Sequence, residues 1–330
     1  MFVGAVPRIG SPITDRFDHW LPIVMENPLN PGSNIVLMSP VELQEGIARL
    51  SRGTYFREAS LDLTLSVLTE SAAQMSGLAR VSVWALTDDH QELRCLELFE
   101  LSSRRHSSGA TICAERYPAY FRALHSEDSI VADDAYLHPS TAEFAADYLP
   151  ETGVTAMLDT PIHIRGELQG VLCLEQTGSR VLWTTTHRLF AHAVANLITL
   201  ALVEYEASEA RHQAQTARER LQAVFDASRD ALLLADGESG VILEANRQAE
   251  MLFGAPHHQL VGKHQRQLHP PELAGEQSGE FSQVVSGERR SPVRTRILGV
   301  DGRVVPVEIT TEVTDIGDGR HLVLGIFRPL

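Results

Sequence analysis

The most extended hydrophobic pattern in the chain is a row of small and apolar residues spaced alternately three and four apart. This is the heptad pattern of a coiled coil, whose two core positions face a partner helix. No Gly or Pro interrupts residues 184–227, so the pattern predicts one long helix, with residues 187–227 as a connecting coiled coil. The predicted dimer seam consists of Ala193, Asn196, Leu200, Val203, Ala207, Ala210, Ala214, Ala217, Leu221 and Val224.

A second apolar stripe occupies only the first half of this helix. It consists of Phe190, Val194, Leu197 and Ala201, and it stops before Glu204. We therefore expect the first half to pack against its own domain on one face and against a second copy on the other. The second half contacts only the second copy. The alternative is a plain long helix that packs on its own domain.

The predicted seam is thin. Four successive core positions between 207 and 217 are Ala, and truncating a packed Leu to Ala loses ~2–5 kcal/mol. Glu206 and Arg211 flank the seam five residues apart, a spacing that pairs opposite charges across a parallel dimer. We expect a weakly held pair of helices that rotates or slides at low cost.

Shorter patterns before the long helix predict a compact mixed domain over residues 41–203. Residues 1–40 are rich in Pro, Gly and Asn and are predicted to be mostly disordered, with one helical turn around Phe17, Trp20 and Leu21. The predicted helices are residues 41–50, 60–76, 117–124 and 139–148, and the predicted strands are residues 80–86, 92–101, 156–164 and 168–175.

After residue 227 the hydrophobic period returns to two, which predicts a five-stranded antiparallel sheet with helices over one face. Asn246 is placed to cap a helix that ends at Phe253, before Gly254. Further helices are predicted at 257–261 and 272–286, and strands at 232–235, 241–245, 291–298, 303–314 and 321–327. The predicted fold class is α+β: two antiparallel-sheet domains joined by a long coiled-coil helix.

Composition narrows the function classes. The chain has 330 residues, enough for two domains, and a formal net charge of −15, which disfavours binding to nucleic acid. Its three cysteines have no CxxC spacing and are odd in number, so a reduced, cytoplasmic setting is expected. The start lacks a signal-peptide pattern, and the longest apolar run, residues 193–203, is shorter than the ~20 residues that span a bilayer.

The last block, residues 221–330, resembles a PAS domain. The resemblance is carried by six runs, residues 224–228, 231–236, 242–246, 249–254, 260–263 and 301–308. Residues 41–203 resemble the GAF domain of bacterial sensor proteins, and the carrying runs are residues 81–84, 130–135, 144–145, 157–162 and 170–175. The resemblance implies a sensory protein, because such modules bind small ligands or cofactors, dimerise, and pass a change to an output domain through helices.

Large side chains in both blocks are candidates for pocket walls, with ordinary core packing as the alternative for each. In the GAF-like block they are Trp84, Leu98, Tyr120, Phe121, Tyr136 and Met157. In the PAS-like block they are Leu233, Met251, Phe253, Phe281 and Phe327. Asp133, Asp134 and His138 are a weaker candidate polar group over the GAF-like pocket, with turn capping as the alternative.

The cofactor is unknown, and the resemblance disfavours three. In haem-binding PAS proteins a helix histidine holds the iron, but Gln277 occupies that position here, and His269 lies on a predicted turn. A flavin adduct needs a cysteine, and none follows Cys173; a bilin needs a cysteine followed by histidine, which is absent. No metal site is expected, since His257, His258, His264 and His269 lack the i, i+4 spacing of helical ligands.

No catalytic triad, paired carboxylates or phosphate loop is visible, so the chain is not expected to be an enzyme. We expect a cytoplasmic homodimer that senses a small ligand or partner and acts on an unknown output protein such as a histidine kinase. The first alternative is the input half of a sensor histidine kinase or a diguanylate cyclase, although no phosphoacceptor or cyclase motif is present. The second is a structural dimerisation scaffold with filled cores.

Overall fold

The structure of the protein is a computed structural model. It describes residues 23–26, 34–37, 40–273, 281, 283, 285, 292–317 and 319–330. The chain divides into two compact units, Met1–Ala210 and Arg211–Leu330.

The first unit is built on a seven-stranded antiparallel sheet. Its strand order is β5-β4-β3-β9-β8-β7, and β6 pairs with β4. A separate antiparallel pair is formed by β1 (Ile23–Glu26) and β2 (Asn34–Leu37). The strands of the large sheet are β3 (Arg80–Leu86), β4 (Glu92–Glu100), β5 (Arg105–Ser107), β6 (Thr111–Cys113), β7 (Ile130–Ala132), β8 (Val154–Ile164) and β9 (Glu167–Thr177).

The helices of this unit cover both faces of the large sheet. They are α1 (Pro40–Leu50), α2 (Tyr55–Glu58), α3 (Leu61–Ser76), α4 (Pro118–Ser126), α5 (Tyr148–Thr152) and the first part of α6 (Thr185–Ala227), with a 3-10 helix at Ala142–Ala146. The four long strands and the helices at α1, α3 and α4 confirm the sequence predictions. The predicted helix 139–148 is wrong, because Asp147 has a non-helical backbone and its carboxylate accepts a hydrogen bond from the Tyr148 amide as α5 begins.

Three short strands and one hairpin were not predicted. Strands β5, β6 and β7 have three residues each, too few to show a two-residue period. The pair β1–β2 lies inside the segment that was predicted to be mostly disordered. Their β-branched residues, such as Ile23, Val24 and Val36, favour extended backbone. The helical turn predicted around Phe17, Trp20 and Leu21 lies outside the described residues.

The large sheet separates two cores of different character, because alternate residues of each strand point to opposite faces. On one face a predominantly apolar core forms against α3 and α6, and it includes Val81, Leu158 and Leu172. On the other face Trp84 and Cys173 pack under α4 and α5 together with buried polar side chains.

Helix α6 is one uninterrupted helix of 43 residues. Phe190, Val194, Leu197 and Ala201 are all buried, which confirms that the second apolar stripe packs against the sheet of the first unit. After Ala201, no further residue of α6 is fully buried. Among the described helices, α6 alone has the length and apolar composition to cross a membrane, with a mean hydropathy of 1.2 over its most apolar window, 39% of which is buried.

The second unit contains the five-stranded antiparallel sheet that the sequence predicts, in the order β11-β10-β14-β13-β12. Asn246 caps α7 by accepting a hydrogen bond from the Ala249 amide, and Gly254 ends the helix with φ +61°, as predicted. Of the helix predicted at 272–286, residues 281, 283 and 285 are helical, and residues 274–280 lie outside the description. The elements are β10 (Ala231–Asp236), β11 (Ile242–Ala245), α7 (Arg247–Phe253), α8 (His257–Leu260), a 3-10 helix (Gln265–Leu268), β12 (Val293–Leu298), β13 (Val304–Asp315) and β14 (His321–Pro329).

Candidate functional site

A row of buried polar side chains crosses the first unit's sheet beneath α4 and α5. Asp159 on β8 lies directly opposite Cys173 on β9, and both are buried. The Tyr120 hydroxyl on α4 donates a hydrogen bond to Asp159 Oδ2 at 2.8 Å and lies 3.8 Å from Cys173 Sγ. Asp159 Oδ1 has no hydrogen-bond partner among the described residues.

Burial dominates the protonation of this row. Loss of solvation, with a smaller effect of the nearby Glu175 carboxylate, raises the pKa of Asp159 to about 7, although hydrogen bonds from Tyr120 and Cys173 act in the opposite direction. Burial also raises the pKa of the Cys173 thiol well above its usual range. The thiol therefore stays protonated and is a poor nucleophile.

Glu175, on β9 two residues after Cys173, belongs to the same row and accepts hydrogen bonds from a cation and a hydroxyl. Its Oε2 accepts a hydrogen bond from Arg80 Nε at 2.8 Å, and its Oε1 accepts one from the Tyr148 hydroxyl at 2.6 Å. Arg80 also bonds Glu100 at 2.9 Å. The charge of Glu175 is thus compensated within the protein, whereas no cation contacts Asp159 among the described residues.

The cavity beside this row is small, about 10 Å³, which is room for roughly one water molecule. Three of the six candidates in this block, Trp84, Tyr120 and Met157, lie in its wall. Phe121 is buried in the same core and Leu98 packs against it, but neither lines the cavity, and Tyr136 is exposed. The other lining residues are Leu93, Ile112, Phe144, Tyr148, Cys173 and Glu175.

Asp133 and Asp134 have structural contacts. Asp133 Oδ1 accepts a hydrogen bond from the Trp183 amide at 2.8 Å, and Asp134 pairs with Arg180 at 2.6 Å. Both bonds fasten the segment that leads into α6. His138 accepts a hydrogen bond from the Ser140 amide at 3.3 Å. These contacts agree with the turn-capping alternative for this group.

The second unit holds a larger cavity of about 80 Å³ between its sheet and its helical segment. Of the five candidates, Leu233, Phe281 and Phe327 line it. Phe253 is buried and packs edge-on against Phe327, with ring centroids 5.5 Å apart, but lies outside the lining, and Met251 is exposed on α7. The remaining lining residues are Ala235, Ile242, Gln265, Leu268, His269, Val293, Ile309, Thr311, Val323 and Gly325.

Gln265, His269 and Thr311 are the polar side chains among the described lining residues. His269 lies at a bend, in agreement with the predicted turn, but it is buried, with 6% of its surface exposed. It follows the 3-10 helix Gln265–Leu268, which turns it inward, and its Nδ1 donates to the Arg296 carbonyl at 3.0 Å. Sequence reasoning did not select Gln265. Its Nε2 is buried and has no hydrogen-bond partner among the described residues.

Comparison with known protein families identifies both units. The family model for the GAF domain matches residues 60–202, and the model for the PAS fold matches residues 219–330. The chain carries a GAF domain followed by a PAS domain. The resemblance seen in the sequence is therefore confirmed, and so is the α+β fold with a long helix, α6, between the two sheets. GAF and PAS domains are commonly signal-sensing input modules.

Individual relatives are distant. An uncharacterised protein of Azorhizobium caulinodans is 28% identical over 187 residues, which cover 54% of this chain and 24% of that protein. A PAS domain from Colwellia psychrerythraea is 26% identical, covering 35% of this chain and 97% of that one, with a TM-score of 0.32. The GAF domain of a phosphoenolpyruvate-protein phosphotransferase from Coxiella burnetii is 16% identical, covering 52% and 99%, with a TM-score of 0.41.

The predicted seam of α6 lies mostly on the solvent side of the single chain. Leu221 is 73% exposed and Val224 is 74% exposed, and Leu200 and Val203 are also exposed. Ala193 and Ala207 are half-buried, and Asn196, Ala210, Ala214 and Ala217 are exposed. The same heptad continues one step upstream to Leu189, which is 66% exposed. Sequence reasoning missed Leu189, although stepping the pattern back by seven residues from Asn196 finds it.

Asn246 joins the last turn of α6 to the core of the PAS domain. The side chain is fully buried and makes four hydrogen bonds. Its Nδ2 donates to the carbonyl oxygens of Phe225 on α6 (3.1 Å) and Asp230 (3.0 Å). Its Oδ1 accepts from the amides of Leu232 on β10 (2.8 Å) and Ala249 on α7 (2.9 Å). The sequence predicted only the capping of α7.

Proposed function

We propose that this chain is a cytoplasmic signal-sensing protein that binds a small ligand in its PAS domain and relays the change through a parallel homodimer of α6. The ligand either raises or lowers the activity of a separate output protein, such as a histidine kinase, and the chain has no catalysis of its own. The observation that carries the proposal is α6 itself. One helix packs into the GAF core at its start and is hydrogen-bonded to Asn246 of the PAS core at its end.

Three features of α6 support a second copy as its partner. The exposed apolar positions repeat in heptads from Leu189 to Val224 and are not covered within the chain. Glu206 and Arg211 occupy the flanking positions that pair in a parallel, in-register dimer. The seam contains Leu at both ends and Ala in the middle. The Leu residues hold the two helices together, and the small Ala residues let the helices change their packing at low cost.

The relay follows from this weak pairing. A ligand shifts a protein between two packings only if it binds one of them better than the other. A ligand in the PAS cavity contacts β10 through Leu233, and the Leu232 amide beside it is bonded to Asn246. A shift of β10 reaches the last turn of α6 through the hydrogen bond between Asn246 and the Phe225 carbonyl. Because the middle of the seam is alanine, little energy opposes a new packing of the two α6 helices.

The dimer is tested by placing a charge in the seam and, as a matched control, outside it. Ala210→Glu puts a carboxylate at a core position, whereas Ser208→Glu puts the same group two residues away on an exposed face. We expect native mass spectrometry and light scattering to give a dimer for the wild type and for Ser208→Glu and a monomer for Ala210→Glu. A dimer for Ala210→Glu, or a monomeric wild type at high concentration, would contradict the seam.

A second candidate is the input half of a larger sensor. This candidate is favoured by the comparison with the Azorhizobium protein, because the segment that matches this chain makes up only 24% of that longer protein. The two candidates are separated by adding the purified chain to histidine kinases encoded beside it and measuring autophosphorylation. A change in rate supports a regulator that acts in trans. No change in trans, with regulation restored when the chain is fused ahead of the kinase helix, supports an input half.

A further inference from the structure

Small residues on two adjacent interior strands of the PAS sheet produce its cavity. Ala235 on β10 and Gly325 on β14 line the cavity at buried sheet positions where large aliphatic side chains are common. A Cβ at Gly325 would lie 2.9 Å from the Phe327 ring, so this ring lies over the glycine. Because a glycine inside a strand has no side chain to pack, it leaves space on its face of the sheet. The sequence therefore keeps open about 80 Å³ that larger residues would fill.

The wall of this cavity carries no formal charge of its own. None of the described lining residues is Asp, Glu, Lys or Arg, and ten of the thirteen are apolar or Gly. An ion in the cavity would lose its hydration without gaining an opposite charge, which is costly. The wall therefore favours an uncharged ligand.

The polar residues of the wall offer few hydrogen bonds to a ligand. His269 Nδ1 donates to the Arg296 carbonyl at 3.0 Å, Thr311 also has a partner within the protein, and Gln265 Nε2 is enclosed by protein atoms. A ligand oxygen that enters without finding a donor loses the hydrogen bonds that it made in water. A carbon atom at the same place has no such bonds to lose, so the wall favours hydrocarbon over oxygen.

The volume of the cavity limits the ligand to a few atoms. The cavity measures about 80 Å³, roughly half the 150 Å³ of an engineered apolar cavity that binds benzene. A molecule of about three to four non-hydrogen atoms fills such a space. A ligand of this size supplies the van der Waals contacts that the apolar wall lacks on its open side.

We propose that the PAS cavity binds small uncharged hydrocarbons of about three to four carbon atoms, which lie over Ala235 and Gly325 and pack against Phe327. This inference rests on the proposed function, which makes the PAS domain the ligand site, and it adds the chemical class of the ligand. The selection of carbon over oxygen is a property of the whole wall rather than of one residue.

Three probes of the same trigonal shape and nearly equal size test the class. They are isobutene, acetone, in which an oxygen replaces the methylene group, and acetate, in which an anionic oxygen also replaces a methyl group. Each is titrated into the full ¹⁵N-labelled chain while the amide signals of β10 and β14 are followed by NMR. We expect saturable shifts with isobutene at millimolar concentration, roughly 5- to 100-fold weaker binding of acetone, and no saturation with acetate.

Two substitutions fill the cavity from the sheet. Ala235→Leu places a larger aliphatic side chain in it, and Val323→Ile is the smaller change to be used if the first variant does not fold. We expect Ala235→Leu to abolish the saturable isobutene shifts and Val323→Ile to weaken isobutene binding by roughly 3- to 30-fold. Ala223→Leu makes the first change on an exposed face of α6, outside the seam, and should leave isobutene binding unchanged.

The outcomes separate the ligand class from the proposed function. Acetone or acetate that binds as tightly as isobutene overturns the hydrocarbon class but leaves the PAS domain as a ligand site. Isobutene binding that is unchanged in both cavity variants overturns the cavity as the place of binding. The absence of saturable shifts with all three probes overturns the class and the PAS ligand site together. The dimer test with Ala210→Glu is independent of these outcomes.

Discussion

At the scale of single residues, Asp159 is an unusual group, a buried carboxyl without a cationic partner among the described residues. It lies in the middle of β8, fully buried, and its Oδ2 accepts a hydrogen bond from the Tyr120 hydroxyl. Because burial raises its pKa to about 7, the folded protein holds a proton there that the unfolded chain releases near pH 4. Between those two values the folded state binds more protons, so the free energy of unfolding falls as the pH rises.

Asp159→Asn tests this loss of stability at higher pH, since the amide has nearly the same shape as the carboxyl and carries no charge at any pH. We expect the variant to be more stable than the wild type at pH 8, by about 1–3 kcal/mol, and the gain to shrink as the pH falls and to disappear near pH 4, the pKa of the unfolded carboxyl. Urea unfolding at both pH values measures it. Exposed Asp128→Asn, on the loop before β7, is the control and should show no such pH dependence. A gain that is equal at both pH values would contradict a buried titrating carboxyl.

The pocket walls show what sequence can predict about residues. Trp84 and Met157, like Leu233 and Phe327, are large side chains on predicted strands whose alternate positions face a core, and Tyr120 lies on a predicted helix. Tyr136 and Met251 have the same chemical character but lie on exposed surfaces, a difference that only the tertiary fold determines. Sequence reasoning did not select Asp159, although an acid inside an apolar strand is a signal, and it could not distinguish Gln265 from an ordinary surface glutamine.

At the scale of elements, a prediction held where the element was long enough to repeat its hydrophobic pattern several times. The long strands and α6 were predicted to within a few residues because each repeats its hydrophobic pattern several times. Elements of three or four residues, such as β7 and α2, show no full repeat. The link between α6 and the PAS sheet was also hidden, because Asn246 bonds backbone groups of Phe225 and Asp230 that carry no sequence signal.

Asn246→Asp tests this link. The substitution keeps both acceptor contacts and replaces two donors by an oxygen that faces two carbonyl oxygens. We expect the PAS domain to lose roughly 2–3 kcal/mol and the amides of the last turn of α6 to exchange faster with solvent. Denaturant unfolding and hydrogen exchange measure the two effects. Asp226→Asn, at the end of the same helix, keeps its acceptor for the Arg247 amide and should change stability little.

At the scale of the whole molecule, the proposal depends on two copies aligned in the same direction. Sequence alone predicted the pairing from the heptads, and the single chain leaves those positions uncovered. Parallel alignment places each seam residue beside its own copy in the partner, whereas antiparallel alignment places Leu221 far from its own copy. The direction of pairing is therefore measurable at one position.

Leu221→Cys in a Cys113→Ser background tests the direction. Cys95 and Cys173 are buried, so Cys113, the partly exposed thiol, is the one to remove. We expect oxidation to give a disulfide-linked dimer on a non-reducing gel. Glu219→Cys, on the exposed face of the same turn, should remain largely monomeric under the same treatment. Equal yields from both positions would indicate random collision and contradict a parallel seam.

The two-sided sheet of the GAF domain has a mechanical consequence. Strands β8 and β9 carry Asp159 and Cys173 on one side and Leu158, Leu172 and Leu174 on the other, where α6 packs. Neighbouring residues of one strand share a peptide plane, so a displacement of the polar side moves the dry side with it. A substitution that displaces Asp159 or Cys173 is therefore expected to disturb the packing of α6 on the opposite face of the sheet.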